Sequence, residues 1–187
     1  AALRQRLIGA RVVLPLYEGI PQKFRDEMKF ITHITIPVAW RRQDCGIFEM
    51  KYNGVICYFL DNQCYFKRQG IYGHYDDAER FAFFSRAVLE IIPYIDFKPD
   101  IINCNDWQTA LVPIYIHDEA VREEFYKSFR TLITVHNIEY QGRYGRELLG
   151  DLFGLDQGWY SGGTLAYEDD INLLKGAIIN ADAVTTV

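Results

Sequence analysis

In its second half the chain repeatedly runs an apolar strand into a polar tip, and helical stretches separate the strands. Residues 100–106 (DIINCND) form one such run and 130–137 (RTLITVHN) form the next. A helix is expected between them, from Trp107 to about Phe125. A second helix is expected over 169–180, turning at Ala181-Asp182 into the last strand, AVTTV. Strands joined through helices cannot pair as hairpins. They lie parallel through right-handed crossovers, and the helices cover the faces of the sheet. This order predicts an α/β fold with a mostly parallel sheet and helices on both faces.

The first half reads differently. Residues 10–17 (ARVVLPLY) suggest a buried strand after an opening stretch, AALRQRL, that reads as the tail of a helix. Residues 29–40 (KFITHITIPVAW) alternate and are β-branched, as in a strand exposed on one face. Residues 45–52 and 54–61 are two more strands. Asn53-Gly54 between them is a hairpin signal, because both residue types tolerate positive φ. An antiparallel hairpin near 45–61 therefore stands beside the parallel part, as an insertion or a sheet edge. Residues 62–75, with Gly70 and Gly73, read as a loop. Asp76 is placed to cap a helix whose apolar face is Phe81, Phe84, Val88, Leu89 and Ile92. Residues 138–168 lack periodicity and are too long for an idle connection, which points to a binding or capping segment.

Composition excludes several classes. The formal charge of −5 argues against nucleic acid or an anionic membrane, since counterion release needs a basic surface. No apolar run reaches spanning length and no signal peptide is visible. The four cysteines make no C-x-x-C pair and no metal spacing with histidine, which fits a reducing cytoplasm and no metal site. Aromatic residues make up 15% of the chain, a proportion that suits sugar binding and a large core equally. G-x-G-x-x-G, Walker and G-x-S-x-G motifs are absent.

Ligands of open parallel sheets bind beyond the carboxyl ends of the strands. Two such ends are polar here: Asn105-Asp106-Trp107 and His136-Asn137. Asp106 suits a sugar hydroxyl or developing positive charge, or an N-cap. Trp107 suits stacking on a sugar ring or core packing. His136 suits a hydrogen bond to a transferred sugar or a structural place, and Asn137 a turn. The residues alone leave open a glycosyltransferase half-domain, a hydrolase fragment and a non-catalytic sugar-binding module.

At these same positions the chain resembles the bacterial glycogen synthase and plant starch synthase family. The resemblance lies in RVVLPLY (11–17), YGHYDDAERFAFFSRAVLE (72–90), PDIINCNDWQTALVPIYI (99–116), TVHNIEYQG (134–142) and LLKGAIINADAVTTV (173–187). It implies a Rossmann-like domain, the N-terminal half of a GT-B fold, with the active site in a cleft between two domains. It implies retaining transfer of glucose from ADP-glucose, a substrate and not a cofactor, to the non-reducing end of an α-1,4-glucan, without a metal. On this resemblance His136 and Asp106 are the catalytic positions. Trp107, Tyr65 and Asn137 are substrate-binding ones, with Tyr65 placed by the looser match DNQCYFKRQGIYG.

The departures are also expectations. The family's first strand and its Lys-x-Gly-Gly-Leu donor loop are missing, as is the C-terminal domain with its diphosphate-neutralising basic pair. Residues 1–187 would then be a partial N-terminal domain, inactive alone and prone to self-association. Position 108 is Gln where many members have His. The alternatives are a carbohydrate-binding module, or half of another GT-B enzyme with a different nucleotide sugar.

Overall fold

The computed structural model describes residues 8–118 and 124–187, apart from the side chains of residues 124 and 127. The opening helix expected over residues 1–7 lies outside them. The strands are β1 (Arg11–Pro15), β2 (Lys29–Val38), β3 (Arg41–Tyr52), β4 (Val55–Asp61), β5 (Ile101–Asn105), β6 (Arg130–Val135), β7 (Arg143–Gly145), β8 (Ala166–Tyr167), β9 (Asp170–Asn172) and β10 (Ala183–Thr186). The helices are α1 (Gln22–Arg25), α2 (Gln63–Phe66), α3 (Asp77–Glu90), α4 (Leu111–His117), α5 (Gly158–Ser161) and α6 (Leu173–Asn180).

The first sheet has the order β1-β4-β3-β2, with β1 parallel to β4 and the other pairs antiparallel. Asn53 (φ 47°) and Gly54 (φ 80°) make its β3–β4 turn, as expected from the hairpin signal. Strand alternation sorts its side chains between two faces. Tyr58 and Leu60 enter the main core. Phe59 joins Leu16 and Met50 on the other face, under Phe24 of α1. The second sheet, β10-β6-β5, is wholly parallel, as the strand–helix order predicts.

The two sheets face the same way. At the amino ends, the Arg11 guanidinium lies 4.6 Å from the Phe97 ring centroid, so the start of β1 sits beside the approach to β5. At the carboxyl ends, Tyr17, after β1, meets the Phe66 ring, the Arg80 guanidinium lies over both Phe66 and Phe81, Phe81 packs on Trp107, after β5, and Trp107 on Tyr144, after β6. The carboxyl ends of β1, β4, β5 and β6 therefore share one rim.

Three expected elements differ in detail. The helix expected from Trp107 to about Phe125 is a 3-10 turn (Trp107–Thr109) followed by α4, which ends at His117 because Asp118 is extended (ψ 121°). Part of the remainder, residues 119–123, lies outside the described residues. The helix expected over 169–180 begins only at Leu173. Residues 170–172 of that span form β9, and the Asn172 side chain caps α6 by accepting from Lys175 N–H (2.9 Å). Asp76 precedes α3 without capping it, because its carboxylate is paired with Arg68 at 2.6 Å. The segment 138–168 supplies β7 and β8 of a third sheet, of order β7-β9-β8, and contains a π turn, Leu149–Phe153.

Candidate functional site

The rim is built where β5 and β6 end. The register pairs Asn105 with Thr134, so Asp106 arrives beside His136. The chain turns at Asp106 with φ 56° and ψ −172°, a region that L residues rarely occupy. This conformation aims the carboxylate sideways at the neighbouring strand. Its Oδ1 accepts the backbone N–H of His136 (2.7 Å) and of Asn137 (3.3 Å). Asp106 thus has no capping bond to the turn that follows it, contrary to the simplest reading of its position. It ties together two strand ends 30 residues apart in the chain.

His136 is exposed, and its Nε2 lies 2.9 Å from the Asn105 side-chain oxygen. If Nε2 carries the proton, that bond orients the ring and leaves Nδ1 as an acceptor. Asn105 is in turn fixed by Thr109, whose hydroxyl accepts Asn105 N–H (2.6 Å) and bonds the Asn105 carbonyl (2.9 Å). Asn137 is also exposed. Its side chain accepts Glu139 N–H at 3.0 Å and turns the chain.

Trp107 and Tyr65 do not present faces on this rim. Trp107 is 8% exposed and packs edge-on against Phe81, with Tyr144 on another side. Its indole also lies over Gly142, where an added Cβ would stand 2.8 Å from the ring and where φ is 62°. Gly142 is therefore required twice, once for conformation and once for contact, and it clamps the segment after His136 onto the one after Asp106. Tyr65 is 4% exposed, with its hydroxyl bound to Glu79. Burial, then the Glu79 carboxylate, push that phenol well above its ordinary range. Both rings are core in this structure, because a large aromatic next to an apolar run gains more from packing than from exposure.

Several residues that shape the rim were not singled out from the sequence. Asn105 belonged to the polar tip without a role of its own. Arg80 is fully buried and ion-paired with Asp77. It donates to the carbonyls of Tyr65 (2.7 Å) and Ile71 (3.2 Å). Asp77 accepts the N–H groups of Gly73 (2.5 Å) and His74 (3.1 Å). Together they fasten the loop after β4 to the same rim. A charged pair three residues apart on an apolar helix face was the available signal.

An apolar groove of about 240 Å³ is bordered by Ile138, Tyr167, Ile178 and Ile179. Among the described residues no cluster of three or more His, Cys, Asp or Glu stands ready to hold a metal ion. No described helix is long and apolar enough to cross a membrane.

Comparisons with known proteins converge on one family. The family model for the starch synthase catalytic domain matches residues 1–187. A glycogen synthase of Geobacillus thermodenitrificans is 46% identical over 185 residues, covering 99% of this chain and 38% of its own length. A glycogen synthase of Clostridium acetobutylicum is 46% identical over 187 residues, covering 100% and 39%. Among solved structures, the catalytic domain of starch synthase IV from Arabidopsis thaliana, bound to ADP and acarbose, superposes with a TM-score of 0.87 at 31% identity. That match covers 100% of this chain and 39% of the other. The chain thus spans less than two fifths of the length of these relatives.

Proposed function

The chain belongs to the starch synthase catalytic domain family, and from that premise we propose that it is the N-terminal, acceptor-side part of a cytoplasmic glucan synthase. The reaction is transfer of glucose from ADP-glucose to the non-reducing end of an α-1,4-glucan, with retained configuration. One observation carries the reading most directly. The Asp106 carboxylate binds the backbone of His136 at 2.7 Å, which joins two polar strand ends at the rim where open parallel sheets hold ligands.

His136, steered by Asn105, hydrogen-bonds the glucose being transferred, and that contact strengthens as the glycosidic bond to the diphosphate lengthens. Asp106 places a negative charge close to the positive charge that develops on the sugar ring. Asn137 shapes the entry to the site. The diphosphate is held by the part of the protein outside these residues. Two exposed strand edges fit a partial domain. Among the described strands β1 and β5 each pair on one side only, Val12 of β1 and Ile101 of β5 are exposed, and the Arg11 Nε is buried without a partner.

The test is an assay of the full-length protein with ADP-glucose and glycogen, with and without His136→Ala. Transfer by the wild type, and a loss of kcat on the order of 10²-fold with little change in ADP-glucose affinity, is the expected result. Near-normal turnover in a folded His136→Ala protein overturns the role of the histidine. Glycogen binding without any transfer would make the chain part of a carbohydrate-binding module instead.

A further inference from the structure

Trp40 sits at the tip of the β2–β3 hairpin and is 72% exposed, yet it is held on two sides. Its indole N–H donates to the Asp151 carboxylate at 2.8 Å. One face of the ring is covered by the Arg41 guanidinium, 4.4 Å from the centroid. Arg41 is itself tied down. It donates to the Asp151 carbonyl (2.5 Å) and carboxylate (3.2 Å), and it lies 3.7 Å from Glu79. The tip is also fixed from below. Ala39 adopts φ 50°, and its Cα would lie 3.4 Å from a Cβ added at Gly154, whose own φ is 68°. A solvent-exposed tryptophan ordinarily rotates freely. This one has lost that freedom while most of its surface stays in water.

A latch between the hairpin and the 149–153 turn does not need such a ring, because Arg41 already makes two hydrogen bonds to Asp151. An indole fixed edge-on with one face open suits a planar apolar partner, and the apolar face of a pyranose ring is one. The Asp151 carboxylate stands at the edge of the same ring, where the sugar's hydroxyls would project. The location agrees. Gly46 of β3 pairs with Asp61 at the carboxyl end of β4, so the tip, six residues on, overhangs the rim by about 20 Å at strand rise. Asp151 belongs to the segment 138–168, which follows His136.

We propose that Trp40 is a stacking platform for a glucose unit of the acceptor α-glucan, remote from the reacting end. This rests on the glucan-synthase reading above. It engages long chains and leaves short acceptors, which cannot reach it, unaffected.

The test uses the full-length protein in two assays. Affinity electrophoresis in glycogen gels reads binding, and rates with ADP-glucose are taken on glycogen and on maltotriose. Trp40→Ala is expected to weaken half-saturation by glycogen about tenfold, the scale of one aromatic stacking contact. Its kcat, and all maltotriose kinetics, stay within about twofold of wild type. Trp40→Phe, which keeps a ring and loses the N–H, retains most of the affinity. Tyr94→Ala, another exposed aromatic beyond the opposite end of α3, changes nothing. Unchanged glycogen affinity in Trp40→Ala overturns the platform. So does a Phe variant as weak as Ala, which would make the N–H latch the essential feature. Equal losses on maltotriose and glycogen overturn it as well. A wild type that transfers no glucose, but binds glycogen through Trp40, overturns the synthase reading and leaves the platform standing.

Discussion

At the scale of single residues, Asp106 separates two roles that its type allows. Its Oδ1 anchors two backbone N–H groups, and its charge faces the rim. Asp106→Asn keeps an amide oxygen for the anchor and removes the charge. Its melting temperature should stay close to wild type while kcat of the full-length protein falls tenfold or more. Asp106→Ala should lose both, since it also leaves two N–H groups without their partner. An Asn variant with full activity would reduce Asp106 to a structural anchor. The cysteines give a second residue-scale test. Burial pushes the thiols of Cys45 and Cys104 up to about 12, Asp61 adding to the effect at Cys45. Burial also raises half-buried Cys57. Cys64 is exposed. A thiol reagent should modify one cysteine quickly in the native protein and all four after denaturation. Fast reaction at Cys45 or Cys104 would contradict the packing described.

At the scale of elements, the turn from α6 into β10 hangs on Asp182. Its carboxylate accepts Thr131 N–H at 2.8 Å, bonds the Thr131 hydroxyl at 3.2 Å and pairs with Arg130 at 2.9 Å. The Thr131 N–H bond first, then Arg130 and the Thr131 hydroxyl, hold the Asp182 carboxyl below its ordinary range. A carboxylate favoured in the folded state stabilises above its unfolded pKa, near 4, and loses that contribution as pH falls through the folded value. The side chain is 31% exposed, so solvent screening keeps the contribution to about 1 kcal/mol. Asp182→Ala should lower the melting temperature by about 2–4 °C at pH 7. The gap should close as pH drops below the ordinary carboxylate range. A gap independent of pH would mean that the hydrogen bonds do not need the charge. The sequence pattern placed this turn at Ala181-Asp182 correctly, because a polar pair between an apolar helix and a β-branched run is a local signal. It could not show that Asp182 reaches Thr131, 51 residues earlier.

At the scale of the whole molecule, the proposed glucosyl transfer draws charge and orientation from more than one wall of a cleft. The 187-residue chain by itself is therefore expected to give only background transfer with ADP-glucose and glycogen. Among the described residues, strands β1 and β5 present unpaired edges near each other, and such edges recruit other strands. Light scattering of the isolated chain should show self-association. A clean monomer would mean that these edges are covered within the chain, and robust transfer would mean that one wall suffices.

The alternation of apolar runs and helices determined the parallel sheet, and Asn53-Gly54 determined the hairpin, because periodicity and turn chemistry act over a few residues. The polar tips at Asp106 and His136 were legible for the same reason. Which tip residues face outward was decided only by the tertiary structure. Trp107 and Tyr65 turned inward because Phe81, Gly142 and Glu79, brought from elsewhere in the chain, offered them a packed or hydrogen-bonded place. Trp40 stayed outside because Asp151, 111 residues away, holds its N–H. Burial depends on neighbours that only long-range folding supplies, and no local pattern records which neighbours will arrive.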